Sequence, residues 1–434
     1  MQTPPPGSRA LPVLSLLCLP MLAAAGQSGN EAEPPSEKIY QTDLIAFPDP
    51  WSFMVGSTGL ILVSDQQFVD LAGDPDKPVN TSTSEEPHMQ TLRQVCERAQ
   101  ARGFRTLLLA YDYFFSQYRA ETRDVPRRLW PDTDRYIELI GRIARFAKDY
   151  GLGLEISLLS PLEIGHGYRE RTGEAGRWMH FREGLRDPGS GAYSVQLWRQ
   201  LSWTNNKGTV QLDEAGVRVF AFRESRIGGT PYHVVNPDEI VEITDTAEVE
   251  VYDQLRKGRG RTGYSAKRIR IHGEGRTDIG PLDRVLVVQM YKTPEMDYFS
   301  ESARPFLHDL IDRYVEAGVH FNAVYADETH IQSDWGYFNH HDHDQYAVRY
   351  VSPGFEQMFS QQYGGQYADF GRWLVYFARG QHDTANDLEA CSAAMHVLGP
   401  TPADIRRTAL LRSRYYELLQ NHVVDLFAEA KQYL

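Results

Sequence analysis

Phe104-Arg105-Thr106-Leu107-Leu108-Leu109-Ala110-Tyr111-Asp112 is an apolar run of strand length that stops on an aromatic residue and an acid. Downstream, residues 133–150 place Ile137, Ile140, Ile143, Ala144 and Ala147 at helical spacing, and Gly151 stops that helix. A second apolar run follows at once, Leu152-Gly153-Leu154-Glu155-Ile156-Ser157-Leu158-Leu159-Ser160. Upstream, Thr58-Gly59-Leu60-Ile61-Leu62-Val63-Ser64-Asp65 precedes a helical segment over residues 89–102. Continuous apolar strands separated by amphipathic helices predict a parallel sheet covered on its faces by helices.

Further along the chain the rhythm changes. From about residue 193, short alternating strands are expected at 208–212, 216–223, 239–244, 247–252 and 267–272, with Gly228-Gly229 and Asn236-Pro237-Asp238 as turns. That spacing reads as a small all-β sandwich. The α/β pattern then resumes with Val285-Leu286-Val287-Val288-Gln289-Met290-Tyr291, a helix over 303–317 and a strand from Phe321. Beyond it the expectation is helical, over 354–363, 367–379, 387–398 and 402–434, with no sixth strand. The predicted fold is a (β/α)8 TIM-barrel-like α/β domain, incomplete at the C-terminus, with an all-β insertion after its third strand. The expected division is 46–190 and 284–434 for the barrel and 191–283 for the insertion, and a chain that stops inside a helical pattern reads as the front part of a longer protein.

Composition narrows the function classes. The chain has 434 residues and a formal net charge of -13. An acidic surface disfavours nucleic acid as a partner, because phosphate contacts need clustered Lys and Arg. Residues 1–25 read as a signal peptide, with Arg9, an apolar stretch and Ala23-Ala24-Ala25 as a small-residue cleavage site; residues 26–45 read as a linker. The expected product is secreted or periplasmic, with no membrane span in the mature chain. Of the three cysteines, Cys18 lies in the signal, leaving Cys96 and Cys391 and room for one optional disulfide.

The functional face of a barrel lies at the carboxyl ends of its strands. Acids recur at each expected exit: Asp65 after the first, Asp112 beside Tyr111 after the second, Glu163 near His166 after the third, Glu295 and Asp297 after the fourth, and Asp327, Glu328 and His330 after the fifth. Any one of them alone reads more readily as a structural helix cap than as a catalytic group. Their recurrence argues for one cleft. Glycosidic cleavage needs a carboxylic acid to protonate the leaving oxygen and a carboxylate as nucleophile or base. Glu328 is the candidate catalytic acid or nucleophile, Asp327 its orienting neighbour and Glu295 its partner carboxylate. Substrate contacts are assigned to Tyr111, Asp112, Glu163, Asp297, His330, Trp335, Tyr337, His340 and His341, since aromatic rings stack on sugar faces while polar groups bond hydroxyls. The run His340-His341-Asp342-His343-Asp344 also invites a metal, but it matches no zinc signature, so no metal is assigned. With no nucleophile elbow, P-loop or dinucleotide fingerprint in context, no cofactor is expected either.

The parallel units, the β insertion and Val324-Tyr325-Ala326-Asp327-Glu328-Thr329-His330 at a strand exit together resemble the secreted bacterial glycoside hydrolases built on a (β/α)8 barrel. The resemblance covers residues 50–343 and implies hydrolysis of polysaccharide or oligosaccharide by paired carboxylates. Two other readings stand beside it: a non-catalytic glycan-binding barrel, and a metal-dependent hydrolase.

Overall fold

The computed structural model describes residues 59–82, 86–111, 121–122, 125–158, 163–200, 213–257, 263–293, 295–325, 349–378 and 395–434. They belong to one compact unit. Its first half is strand β1 (Gly59–Leu62), helix α1 (Asp65–Gly73), the short pair β2 (Val79–Asn80) and β3 (Met89–Gln90), α2 (Leu92–Ala101), β4 (Thr106–Tyr111), α3 (Asp134–Lys148), β5 (Gly153–Ser157) and α4 (His166–Thr172). Each of the next nine strands pairs antiparallel with a neighbour: β6 (Arg177–Leu185), β7 (Tyr193–Gln200), β8 (Asp213–Phe222), β9 (Ser225–Arg226), β10 (Tyr232–Val234), β11 (Val241–Glu242), β12 (Glu248–Lys257), β13 (Gly263–Gly273) and β14 (Arg284–Lys292). The chain then runs through α5 (Ala303–Glu316), β15 (Phe321–Tyr325), β16 (Arg349–Tyr350), α6 (Pro353–Tyr363), β17 (Met395–Val397) and α7 (Pro402–Tyr433).

The parallel sheet forms as the sequence pattern predicts. Strands β1, β4, β5 and β15 lie side by side in that order, all parallel, with Leu62 opposite Tyr111 and Ser157 opposite Tyr325. Helix α3 shows why the local sequence folds this way. Asp134 in its first turn and Arg145 and Lys148 in its last complement the helix dipole, while Ile137, Ile140, Ile143, Ala144 and Ala147 form a buried stripe. Gly151, at φ 73°, then turns the chain into β5. A second glycine on this helix serves packing: a Cβ on Gly141 would lie 2.4 Å from the Ala317 carbonyl oxygen, so only glycine lets α3 approach the end of α5 this closely.

The antiparallel region departs from expectation. Val285–Tyr291 was expected as a barrel strand, yet β14 pairs antiparallel with β6 on one side and β8 on the other, at the centre of a five-stranded sheet of order β11-β8-β14-β6-β16. The antiparallel pairing therefore starts at Arg177 and runs through Lys292. A run buried on both faces reads the same whether its neighbours are parallel or antiparallel, which explains the error. Strands β12, β13 and β7 make a separate three-stranded antiparallel sheet, and β17, β10 and β9 a mixed one, in which β10 runs parallel to β17 and antiparallel to β9. Among the described residues there are four parallel strands rather than five barrel strands, and no closed barrel. The segment expected as a helix over 387–398 ends in β17, while most of it lies outside the described residues, as do the signal peptide, the linker, the strand at 208–212 and Cys391. Cys96 is a free, buried thiol on α2. No helix among the described residues is long and apolar enough to cross a membrane.

Candidate active site at the carboxyl edge of the parallel sheet

The exits of β1, β4 and β5 converge on one arginine. Asp65, the first residue of α1, accepts from the Tyr111 hydroxyl at the end of β4 and from the backbone N–H groups of Arg128 (2.7 Å) and Leu129 (3.3 Å). These bonds pin the loop bearing Arg127 against the sheet edge. Arg127 Nη1 donates to Glu163 Oε1 at 2.7 Å, Nε donates to the Leu129 carbonyl at 2.8 Å, and Ser157 Oγ at the end of β5 donates to Glu163 Oε2 at 3.1 Å. Its guanidinium lies 4.2 Å from the centre of the Tyr111 ring and 4.5 Å from that of Trp130. Trp130 in turn stacks on His166 with ring centres 4.1 Å apart. The result is a layered stack of tyrosine, guanidinium, indole and imidazole, held by cation–π attraction strengthened by burial.

Electrostatics follow from that packing. Burial pushes the Tyr111 hydroxyl far up, so it acts as a neutral donor. Burial, helped by the charges of Arg127 and Arg169, carries His166 down to about 4, and the ring is neutral at physiological pH. Arg127 is almost wholly buried against the ion-paired Glu163, which keeps a fifth of its side chain exposed. A buried Asp132 carboxylate accepts from the Gly165 (2.7 Å) and Tyr168 (3.1 Å) N–H groups and so fixes the start of α4 and the position of His166. Glu155 also belongs to this region. It lies opposite Leu108 and Ala323 on the face of β5 that alternates away from Leu154 and Ile156, and burial raises its pKa.

The other expected site residues fall into two groups. Glu295 and Asp297 follow β14, and the Met296 N–H donates to the Ile164 carbonyl at 3.1 Å, which brings that loop beside Glu163 in the backbone. The Glu295 side chain, however, is fully buried: Trp178 Nε1 donates to Oε2 at 3.4 Å, Oε1 has no hydrogen-bond partner, and burial raises its pKa well above the ordinary carboxyl value. Asp297 is nearly as buried and accepts from the Phe299 N–H (3.1 Å) and the Tyr350 hydroxyl (3.2 Å), which makes it the anchor of its own turn. Asp112, Asp327, Glu328, His330, Trp335, Tyr337, His340 and His341 lie outside the described residues. Sequence reasoning overlooked Arg127, although Pro126-Arg127-Arg128-Leu129-Trp130-Pro131 carried a signal, a cation and an indole held between two prolines. A cleft of about 600 Å³ lies elsewhere, lined by Arg186, Tyr193, Arg270 and His272 among others. It is broad and open and holds none of the strand-exit acids, so the chemistry of the sheet edge outweighs its size.

No family model matches this chain, and no curated protein does. Among solved structures, a rhamnosidase from Novosphingobium sp. PP1Y is similar at 12% identity and a TM-score of 0.29, with 78% of this chain and 43% of that one covered. This chain therefore spans less than half the length of that enzyme, and a likeness of this size carries no argument about function.

Proposed function

We propose that this chain is an exported glycoside hydrolase, or a part of one, in which the four parallel strands belong to a (β/α)8 barrel and the reaction takes place at their carboxyl edge. The observation that supports this reading is Glu163, held from two sides by Arg127 and Ser157 at the end of β5. Ser157 is the register partner of Tyr325, the last residue of β15, which Asp327 and Glu328 follow by two and three positions in the chain. In this reading Glu328 is the proton donor or nucleophile and Asp327 orients it. Glu163, paired with a guanidinium, is the second carboxylate, and Trp130 and Tyr111 supply the ring faces beside it. Glu295 is assigned a structural role because its carboxyl is sealed in the core.

The test is reducing-sugar release from a panel of polysaccharides by the parent chain, Glu328→Gln and Glu163→Gln, each shown to be folded. Release by the parent and its loss by at least about a hundredfold in each variant is expected, the scale at which a single acid–base group contributes. Full activity in Glu328→Gln refutes the assignment. Sugar binding without release by the folded parent replaces hydrolysis with a glycan-binding role.

A further inference from the structure

The antiparallel half contains an ionisable cluster that plays no part in the sheet-edge chemistry. Glu183 on β6, Glu224 just after β8 and His396 on β17 bring ligand atoms within 4.8 Å of one another, in the core of the unit. His396 Nε2 lies 2.9 Å from Glu224 Oε2 and 3.4 Å from Glu183 Oε2, and His233 Nδ1 on β10 lies 3.2 Å from the same Glu224 oxygen. Arg284 Nη2 donates to the other Glu224 oxygen at 2.8 Å and its Nη1 stands 3.9 Å from Glu183 Oε1.

Three features point to a cation at the centre. First, His396 Nδ1 is 3.0 Å from the Val375 carbonyl oxygen, a contact that only an N–H can make, so a metal-bound, neutral ring would turn its lone pair at Nε2 towards the two carboxylates. An imidazole oriented by a backbone carbonyl through its far nitrogen is the usual preparation of a metal ligand. Second, the Glu183 side chain is entirely buried and neither of its oxygens accepts a hydrogen bond, although both point into the cluster. A buried carboxylate left this way is costly unless a cation coordinates it. Third, the three ligand atoms all lie within 4.8 Å of one another, and His396 Nε2 stands 2.9 and 3.4 Å from the two carboxylates, near the separation of about 3.3 Å that metal–ligand bonds of about 2.0–2.1 Å set in a tetrahedron.

We infer that Glu183, Glu224 and His396 form a structural site for a divalent transition metal, zinc foremost. Mixed imidazole and carboxylate donors suit zinc and its neighbours better than magnesium or calcium. Arg284 holds Glu224 from the outer side. Bound there, the ion ties β6, the end of β8 and β17 together, joining the five-stranded sheet to the β17-β10-β9 sheet. The site is closed to solvent, so the ion enters during folding and its affinity adds to stability.

The full chain is purified, dialysed against metal-free buffer and assayed for bound metal by elemental analysis, then titrated with zinc chloride or cobalt chloride while thermal unfolding and the visible absorption of tetrahedral cobalt are recorded. About one zinc per chain, a rise in melting temperature on adding zinc to chelator-stripped protein, and a tetrahedral cobalt spectrum are expected. In Glu183→Gln, zinc affinity falls by more than about a hundredfold, beyond the effect of losing an outer-sphere partner. His396→Ala gives the same loss if it folds; if it does not, the cobalt spectrum of the parent and the affinity of Glu183→Gln decide. A parent chain that binds neither ion and melts unchanged, or a Glu183→Gln variant that binds zinc as tightly as the parent, overturns the inference and leaves a buried imidazolium between two carboxylates.

Discussion

Glu295 offers a test of the buried core that depends on one proton. Its carboxyl is wholly enclosed beside Trp178, and burial raises its pKa well above 4.5, so the folded chain keeps it neutral. The unfolded chain ionises it near that ordinary value. For a carboxyl raised in this way, the stabilising contribution is complete below the unfolded pKa and is lost as pH rises, because the unfolded state releases a proton that the folded state retains. The loss is about 1.4 kcal/mol for each pH unit over which the unfolded group is ionised and the folded group stays protonated. Glu295→Gln removes this dependence. The amide also places an NH2 where Oε1 has no partner, which adds an offset of either sign, but that offset does not vary with pH. The assay is urea unfolding of parent and variant at pH 5, 6 and 7, followed by the apparent unfolding free energy. The variant's stability relative to the parent should climb across the series, at a slope approaching about 1.4 kcal/mol per pH unit. Parallel curves, with the same gap at every pH, would refute the claim that Glu295 is neutral in the folded chain.

Other outcomes follow from the same geometry. Arg127→Leu removes the cation from a largely buried pair and leaves Glu163 and the Tyr111 and Trp130 faces unsupported; a loss of about 3 kcal/mol is expected by chemical denaturation, together with loss of any sugar-releasing activity. Gly167→Ala puts a Cβ 1.9 Å from the Asp132 carbonyl oxygen, a backbone atom that cannot swing away, and should cost at least about 2 kcal/mol measured the same way. Burial pushes the Cys96 thiol up to about 12, so a thiol-specific reagent should label it only after unfolding, and labelling of the native chain at neutral pH would contradict the packing of α2.

Much of the parallel half was legible because its signals are local. The stripe on α3 and the stop at Gly151 lie within one window of sequence, and the runs of β4 and β5 are too apolar for a surface element. Strand β6 was not legible for the opposite reason: Trp178-Met179-His180-Phe181-Arg182-Glu183 carries polar residues, two of which, His180 and Glu183, are buried, so neither alternation nor a clean apolar run survives. Glu163 was found by its position after a strand. Arg127 was missed because it reaches the same carboxylate from a loop 36 residues earlier, and the meeting of Glu224 with His396 spans 172 residues, a separation no periodicity encodes.

Helix α7 has a role that its amphipathic pattern alone does not convey. At about 1.5 Å per residue its 32 residues extend roughly 48 Å. Arg412 near its start donates to the Tyr376 (2.7 Å) and His396 (2.9 Å) carbonyls, Tyr415 donates to the Tyr350 carbonyl at 2.8 Å, and His422 Nε2 meets the Tyr298 carbonyl at 2.9 Å. Near its far end Glu429 pairs with His308 at 2.9 Å and Tyr433 stacks on the same imidazole, both against α5, the helix that leads into β15. One rod is thus bolted at one end to the antiparallel strands and at the other to the scaffold of the parallel sheet. Removing residues 401–434 would break both attachments together, and with the helix in place the two halves should melt as a single mechanical frame rather than as separable modules.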